Sequence, residues 1–151
     1  TDLSASDTII PVIYLTAAAE GTDVPEYLQT AIAFGSQTAF SVTNGNSDIA
    51  KSPGFYRVFG CANVMALGTA SGASFRLVNG ATTKVIWEVT PTTTSTNNSI
   101  TSVLYDFTVF LAVDDVLNAL SDNTGSSNIG SIRQVATANG TLVNPSGFTP
   151  Q

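Results

Sequence analysis

Apolar and polar residues alternate along most of the chain with a period of two, which is typical of half-buried β-strands. The clearest stretch covers residues 100–113, in which every second position from Val103 onward is apolar or aromatic. A second long strand is predicted over residues 55–64, directly after Pro53 and Gly54. Shorter runs rich in β-branched and aromatic residues predict further strands over residues 9–16, 38–43, 74–79, 82–90 and 129–137.

Segments rich in Gly, Asn, Ser and Thr separate these runs about every ten residues. Asn79-Gly80 is a favoured hairpin signal, so residues 74–79 and 82–90 are predicted to pair, with Val85, Trp87 and Val89 on one face. Residues 44–48 are predicted to form a turn, and residues 91–99 a polar surface loop.

Two segments are less regular. Residues 25–28 start like a helix, and residues 116–120 fit either a strand or a short helix capped by Asp114 or Asp115. The chain as a whole shows seven or eight strands and no long helical period. This pattern predicts an all-β sandwich or barrel.

The composition removes most kinds of chemistry from consideration. Histidine is absent, there is one cysteine, and 11% of the residues are charged, against roughly 25% in an average soluble protein. Imidazole-based catalysis, zinc cages of His and Cys, and disulfides within the chain are therefore excluded. Five Lys and Arg residues cannot neutralise many phosphates, so no nucleic-acid partner is expected. No cofactor is implied, and the apolar runs are too short for a membrane-spanning helix.

Two acidic or amide-rich turns carry oxygen ligands that a cation could use. The segment from Asn44 to Asp48 starts like an EF-hand loop, but Ile49 and Phe55 stand where that loop needs Gly and Glu. This mismatch favours a plain turn.

The pair Asp114-Asp115, with Asp106 and Asp122 nearby in sequence, offers carboxylate ligands for a hard cation. A turn with solvated carboxylates is the favoured interpretation. Cys61 lies inside an apolar strand and is predicted to be a buried, unreactive thiol.

Aromatic residues occur on both faces of the predicted strands, which indicates that both faces are covered. One cover is the core of the sandwich, and we expect the other to be a neighbouring subunit. Arg57 and Arg76, placed in otherwise apolar strands, either extend to solvent or pair with an acidic residue across an interface. The interface candidates within the strands are Phe55, Arg57, Phe59, Tyr105 and Phe107.

The order of segments over residues 52–137 resembles the trimeric jelly-roll domains of the tumour-necrosis-factor and C1q type. The similar features are the Gly-aromatic start of a strand at residues 54–58, the short acidic turn at residues 113–116 and a closing strand at residues 129–135. The Pro and Gly of the family's acidic turn are missing here. The resemblance implies an antiparallel jelly-roll sandwich of about eight strands, a homotrimer, and a strand rather than a helix over residues 116–121.

A disulfide-free chain rich in Thr, Ala, Asn, Ser and Gly also resembles small bacteriophage virion proteins. Trimeric jelly rolls of this size are similar to capsid decoration (cement) proteins, which implies a structural protein on the outer surface of the virion, bound to the major capsid protein. The organisation expected is one jelly-roll domain over residues 1–151, with an arm at residues 1–8 and an extended tail at residues 143–151. In that arm Thr1, Asp2 and Leu3 are candidate contacts to the capsid or to a neighbouring subunit.

Two other functions compete with this one. A trimeric head domain of a tail fibre or spike would bind a host-surface glycan or receptor, and Trp87 and Tyr105 would form its platform if they faced outward. A hydrolase that uses carboxylates alone ranks last, because no acidic pair lies in a suggestive motif. The chain is therefore predicted not to be an enzyme.

Overall fold

A computed structural model describes residues 37–65, 72–91 and 100–144 of the chain. The chain divides into two compact units, one over residues 37–141 and one joining residues 1–36 to 142–151. Only residues 142–144 of the second unit are described. The strand predicted over residues 9–16, the helical turn over 25–28, the arm over 1–8 and most of the tail lie outside the described residues.

The described residues form eight strands, which are β1 (Thr38–Thr43), β2 (Gly45–Ala50), β3 (Gly54–Met65), β4 (Ala73–Asn79), β5 (Thr82–Val89), β6 (Ile100–Leu111), β7 (Val116–Ser121) and β8 (Ser127–Ala136). The first sheet has the order β1-β8-β3-β6 and the second sheet the order β2-β7-β4-β5. Every pairing is antiparallel. Apart from the β4–β5 hairpin, each connection leads to the other sheet, which is the topology of a jelly roll.

The prediction of an all-β jelly-roll sandwich is confirmed, and residues 116–121 form a strand as the resemblance implied. The turn predicted over residues 44–48 is wrong in extent. Asn44 alone turns the chain, with a φ of 49°, and Gly45 already belongs to β2. An Asn tolerates this left-handed conformation, so one residue is sufficient for the change of direction.

The prediction that Val85 shares a face with Trp87 and Val89 is also wrong. Phe75 pairs with Trp87, but the next residue, Arg76, pairs with Val85, so Ile86 is an extra residue in β5. Such a bulge shifts the alternation by one position. Trp87 therefore packs against the core, whereas Val85 is 50% exposed.

The core lies between the two sheets and has Phe75 of β4 at its centre. Its ring is fully buried and contacts the rings of Phe40, Trp87, Tyr105 and Phe107, with centroid distances of 4.9 to 5.8 Å. Edge-to-face and tilted ring pairs of this kind stabilise a fold beyond the area that they bury. The inward aromatic residues of the two sheets therefore form one continuous cluster.

Tyr105 crosses the inner face of the first sheet over two opposing glycines. Gly60 of β3 is paired with Gly130 of β8, and a Cβ atom on either one would collide with the Tyr105 hydroxyl. The hydroxyl donates to Asn128 Oδ1 at 2.6 Å and to the carbonyl of Ile129 at 3.2 Å. The two glycines thus leave the space that the phenol fills, as an aromatic ring does over a glycine in other sheets.

We expect Tyr105→Phe to lower the free energy of unfolding by about 1–3 kcal/mol, because the buried Asn128 Oδ1 loses its donor. Urea unfolding at neutral pH measures this change. Tyr56→Phe is the matched control. Its hydroxyl donates to the carbonyl of the exposed Ser52 at 2.8 Å, where water can replace it, so its cost stays under about 1 kcal/mol. Equal losses in the two variants would contradict the role given to Tyr105.

The same hydroxyl predicts a loss of stability in alkali. Burial raises the pKa of Tyr105 well above its ordinary value of 10.0, and the nearby Cys61 raises it further. The unfolded chain therefore releases this proton at a lower pH than the folded chain, and the stability lost grows as the pH rises above about 10. We expect the difference in unfolding free energy between the wild-type chain and Tyr105→Phe to be constant below that pH and to shrink above it.

Candidate functional site

The outer face of the first sheet carries the side chains that alternate with the core residues. On β3 the buried residues have even numbers, so Phe55 and Phe59 point outward. On β6 the inward residues have odd numbers, so Leu104 and Phe110 point outward. The central strand β3 is therefore apolar on both faces, and an outward apolar residue on a sheet needs a cover or a partner.

Three side chains form an apolar row across β6, β3 and β8. Leu104 is opposite Cys61, and Cys61 is opposite Ile129. Leu104 is 82% exposed and Ile129 47% exposed, whereas Cys61 between them is half-buried. Together with Phe59 and Asp106 these residues line a shallow hollow in the outer face.

A second apolar spot lies at the far end of the same two strands. Phe55 and Phe110 face each other across β3 and β6, with ring centroids 4.8 Å apart. Phe110 is 42% exposed. This aromatic pair and the row of Leu104, Cys61 and Ile129 leave a gap between them, and a pair of opposite charges fills it.

Arg57 and Asp106 form this charged pair through two hydrogen bonds. Arg57 Nε donates to Asp106 Oδ1 at 3.0 Å and Nη2 donates to Oδ2 at 2.7 Å. The Arg57 guanidinium also lies over the ring of Phe59, 5.4 Å from its centroid. These contacts orient both charged groups along the sheet surface.

The pairing shifts the titration of both groups. The hydrogen bond from Arg57 lowers the pKa of Asp106, and the same bond raises the pKa of Arg57. Arg133, opposite Arg57 on β8, is 5% exposed, and burial first and the Arg57 charge second lower its pKa. Asp106 thus stays ionised and offsets the guanidinium charge of Arg57.

A polar row borders the apolar row on its other side. Ser102 Oγ donates to Asn63 Oδ1 at 2.6 Å, and Asn63 Nδ2 donates to Ser127 Oγ at 3.2 Å. These groups satisfy one another within the sheet. The outer face of the first sheet is therefore an apolar patch with a polar border whose side chains hydrogen-bond one another, as at the margin of many protein interfaces.

The outer face of the second sheet is different in kind. Arg76 donates to Asn118 Oδ1 at 2.6 and 3.2 Å, and Asn118 Nδ2 donates to Asp48 Oδ1 at 2.8 Å and to Asn46 Oδ1 at 3.1 Å. The hydrogen bond from Asn118 lowers the pKa of Asp48, and Lys51 lies 3.3 Å from that carboxylate. This polar network joins β2, β7 and β4 and leaves the first sheet as the more apolar surface.

The structure separates the predicted interface residues into three groups. Phe55, Arg57 and Phe59 lie on the outer face of the first sheet. Tyr105 and Phe107 point inward and belong to the aromatic core, so we correct the expectation that they lie on an outer interface. The reason is the parity of β6, whose odd positions all face the second sheet. Thr1, Asp2 and Leu3 lie outside the described residues.

Leu104 and Ile129 were not predicted as surface residues, and Cys61 was predicted to be buried. The available signal was the alternation itself. Leu104 stands at an even position of β6, between Val103 and Tyr105, and an apolar residue at an outward position indicates a covered surface. Because the side chains of β3 alternate in the same way, Cys61 lies on the same face as Phe59.

The other candidates are turns or core residues. Asp115 accepts hydrogen bonds from Asn79 Nδ2 at 2.8 Å and from the Ala112 amide at 2.9 Å, and it thereby fixes the turn between β6 and β7. In the part of the chain that the structure describes, no three His, Cys, Asp or Glu side chains are grouped as a metal site.

Two further observations bear on ligands and membranes. Trp87 and Tyr105 pack against each other in the core at 5.0 Å, so the glycan platform proposed for them is wrong. No helix within the described ranges is both long enough and apolar enough to span a membrane.

The described residues form a jelly roll with one apolar outer face, which is the kind of surface through which proteins assemble. Two crystal structures of a pentameric capsid protein isolated from metagenomic phage sequences are similar to this chain. In both the identity is 35% over 93% of this chain, with 86% and 87% of the other chain covered and TM-scores of 0.74 and 0.73. The chain belongs to the family of this phage capsid protein, which is a family of structural proteins and not of enzymes.

More distant similarities also exist. Murine APRIL matches with a TM-score of 0.42 and 8% identity, over 59% of this chain and 72% of its own. Eiger TNF from S. frugiperda matches with a TM-score of 0.44 and 10% identity, over 78% of this chain and 94% of its own. No protein-family model matches the chain, and no curated protein sequence does so either.

We expect Asp106→Asn to lower the unfolding free energy by less than about 1 kcal/mol at pH 7, because the pair with Arg57 is partly exposed. The folded chain holds the pKa of Asp106 below 3.8, so this contribution is present above that pH and disappears as the pH falls through the lowered pKa.

A double-mutant cycle with Arg57→Gln isolates the pair in urea unfolding at pH 7 and in acid. A coupling energy that is unchanged in acid would show that the two side chains interact by packing and not by charge.

Proposed function

We propose that this chain is a structural subunit of a bacteriophage virion that assembles with copies of itself into a pentamer. The observation that carries the proposal is the 35% identity to a pentameric phage capsid protein over 93% of the chain. Identity over almost the whole chain, with a TM-score of 0.74, supports a common use of the fold and not only a common fold.

The surface of the protein supports self-association. Four large apolar residues on one sheet face, Leu104, Ile129, Phe110 and Ile100, are between 42% and 82% exposed. Such a patch is unfavourable in water on a monomer and is typical of a protein interaction site. The low charge of the chain agrees with this, since a protein with only 11% charged residues has few groups that keep copies apart.

The number of copies distinguishes two versions of the function. The resemblance to trimeric jelly rolls predicted a homotrimeric decoration protein on the outer capsid surface, bound to the major capsid protein. The pentameric relative favours five copies and a place within the capsid. The trimer remains the second candidate, because a trimer would use the same exposed face.

Native mass spectrometry of the purified chain tests the proposal. We expect a mass of five times the chain mass of 15.6 kDa at micromolar concentration, without any other component. A mass of three times the chain would replace the pentamer with the trimeric alternative. A monomer at all concentrations would contradict both versions.

A further inference from the structure

We infer that the outer face of the first sheet is the surface on which a second copy of this chain docks, with Leu104 at its centre. This inference rests on the proposed function and deepens it, because it assigns the contact between neighbouring copies to named residues. The face is defined by the apolar row Leu104, Cys61 and Ile129 together with Phe59 and the ring pair of Phe55 and Phe110.

The exposure of Leu104 supports a docking surface at this place. Leu104 is 82% exposed although it lies in the middle of a twelve-residue strand, where flanking strands and side chains usually cover part of an apolar residue. Among the described strands β6 stands at the end of its sheet and is bonded only to β3. An exposed apolar residue on a strand in this position promotes uncontrolled association unless a specific partner covers it.

The charged and polar groups beside the apolar row support a second copy of this chain as the partner. The charged pair beside the apolar row, Arg57 and Asp106, is bonded internally through two hydrogen bonds of 3.0 and 2.7 Å. The bordering Asn63, Ser102 and Ser127 also bond one another. A partner therefore meets a face that has apolar surface to bury and few unsatisfied polar groups. This fits a surface with few charges, and a second copy of this chain, with 11% charged residues, provides one.

The symmetry of a five-membered ring restricts which surfaces of neighbouring copies can meet. A closed ring of five identical copies has no two-fold axis between neighbours, so a patch on one copy cannot face the same patch on the next. The outer face of the first sheet must then contact a different surface of the neighbouring copy. Cys61 provides a marker for this geometry, since it is the only cysteine in the chain and lies in the apolar row.

The decisive variant is Leu104→Asn, which removes the most exposed large apolar side chain of the described residues and leaves the core unchanged. We expect it to raise the concentration at which half of the assembly dissociates by about tenfold or more, as a central interface residue does. Val85→Asn is the matched control, because Val85 is a 50% exposed apolar residue on β5, which stands at the end of the second sheet among the described strands. Sedimentation velocity over a dilution series measures both variants, and thermal unfolding verifies that they fold.

The outcomes separate the two proposals. A wild-type chain that is monomeric overturns the proposed function. A wild-type oligomer that Leu104→Asn leaves intact overturns only the assignment of the face, and so does an equal loss of assembly in Val85→Asn. Dissociation by Leu104→Asn alone supports the assignment.

Maleimide labelling of Cys61 gives an independent readout in the unmodified chain. We expect the thiol to react at least tenfold more slowly in the assembly than in the diluted, dissociated chain, because the neighbouring copy covers it. Equal rates would overturn the assignment. Mild oxidation of the assembly should yield no disulfide-linked dimers, and efficient cross-linking through Cys61 would indicate a two-fold contact and overturn the ring geometry.

Discussion

The arrangement of the first sheet depends on one steric constraint, the absence of side chains at Gly60 and Gly130. Because these two residues are opposite each other, the phenol of Tyr105 lies across them and reaches Asn128. Asn128 Nδ2 in turn lies 3.5 Å from the carbonyl of Ser74 on the second sheet. The aromatic ring thus fills the inner face while its hydroxyl connects the two sheets through a buried polar contact, and buried groups of this kind are costly unless they are paired.

The glycine pair on the inner face of the first sheet also determines which residues lie behind it on the outer face. Cys61 and Ile129 are the chain neighbours of Gly60 and Gly130, so they project from the opposite side of the sheet directly behind the phenol. Leu104 is likewise the neighbour of Tyr105. The apolar row on the outer face therefore lies on the same three strands that the phenol contacts from the inner face. Because these strands are rigid, the residues of the row lose little conformational entropy when a partner binds.

The alternation of residues was sufficient to predict most of the strands and an all-β sandwich or barrel, because these follow from local pattern, whereas the jelly roll was implied by the resemblance in the order of segments. It failed where pairing between distant strands decides the outcome. The extra residue Ile86 exists only relative to β4, and it moved Val85 to the surface. The inward position of Tyr105 was implied by parity, but its aromatic character alone suggested an interface. The space above Gly60 and Gly130 depends on two strands that are about seventy residues apart in sequence.

The number of copies in the assembly follows neither from the local sequence pattern nor from the pairing of strands. A ring of identical copies closes when the rotation from one copy to the next is a full turn divided by a whole number. The number of copies therefore depends on the angle between the two contact surfaces of one copy and not on the fold. Trimeric and pentameric jelly rolls can therefore share their strand order, and the resemblance in strand order carried no information on that angle. The proposed pentamer therefore rests on the 35% identical relative, which is pentameric, and not on the strand order. The face with Leu104 supplies one of the two surfaces, and the counterpart fixes whether the turn between neighbours is a fifth or a third.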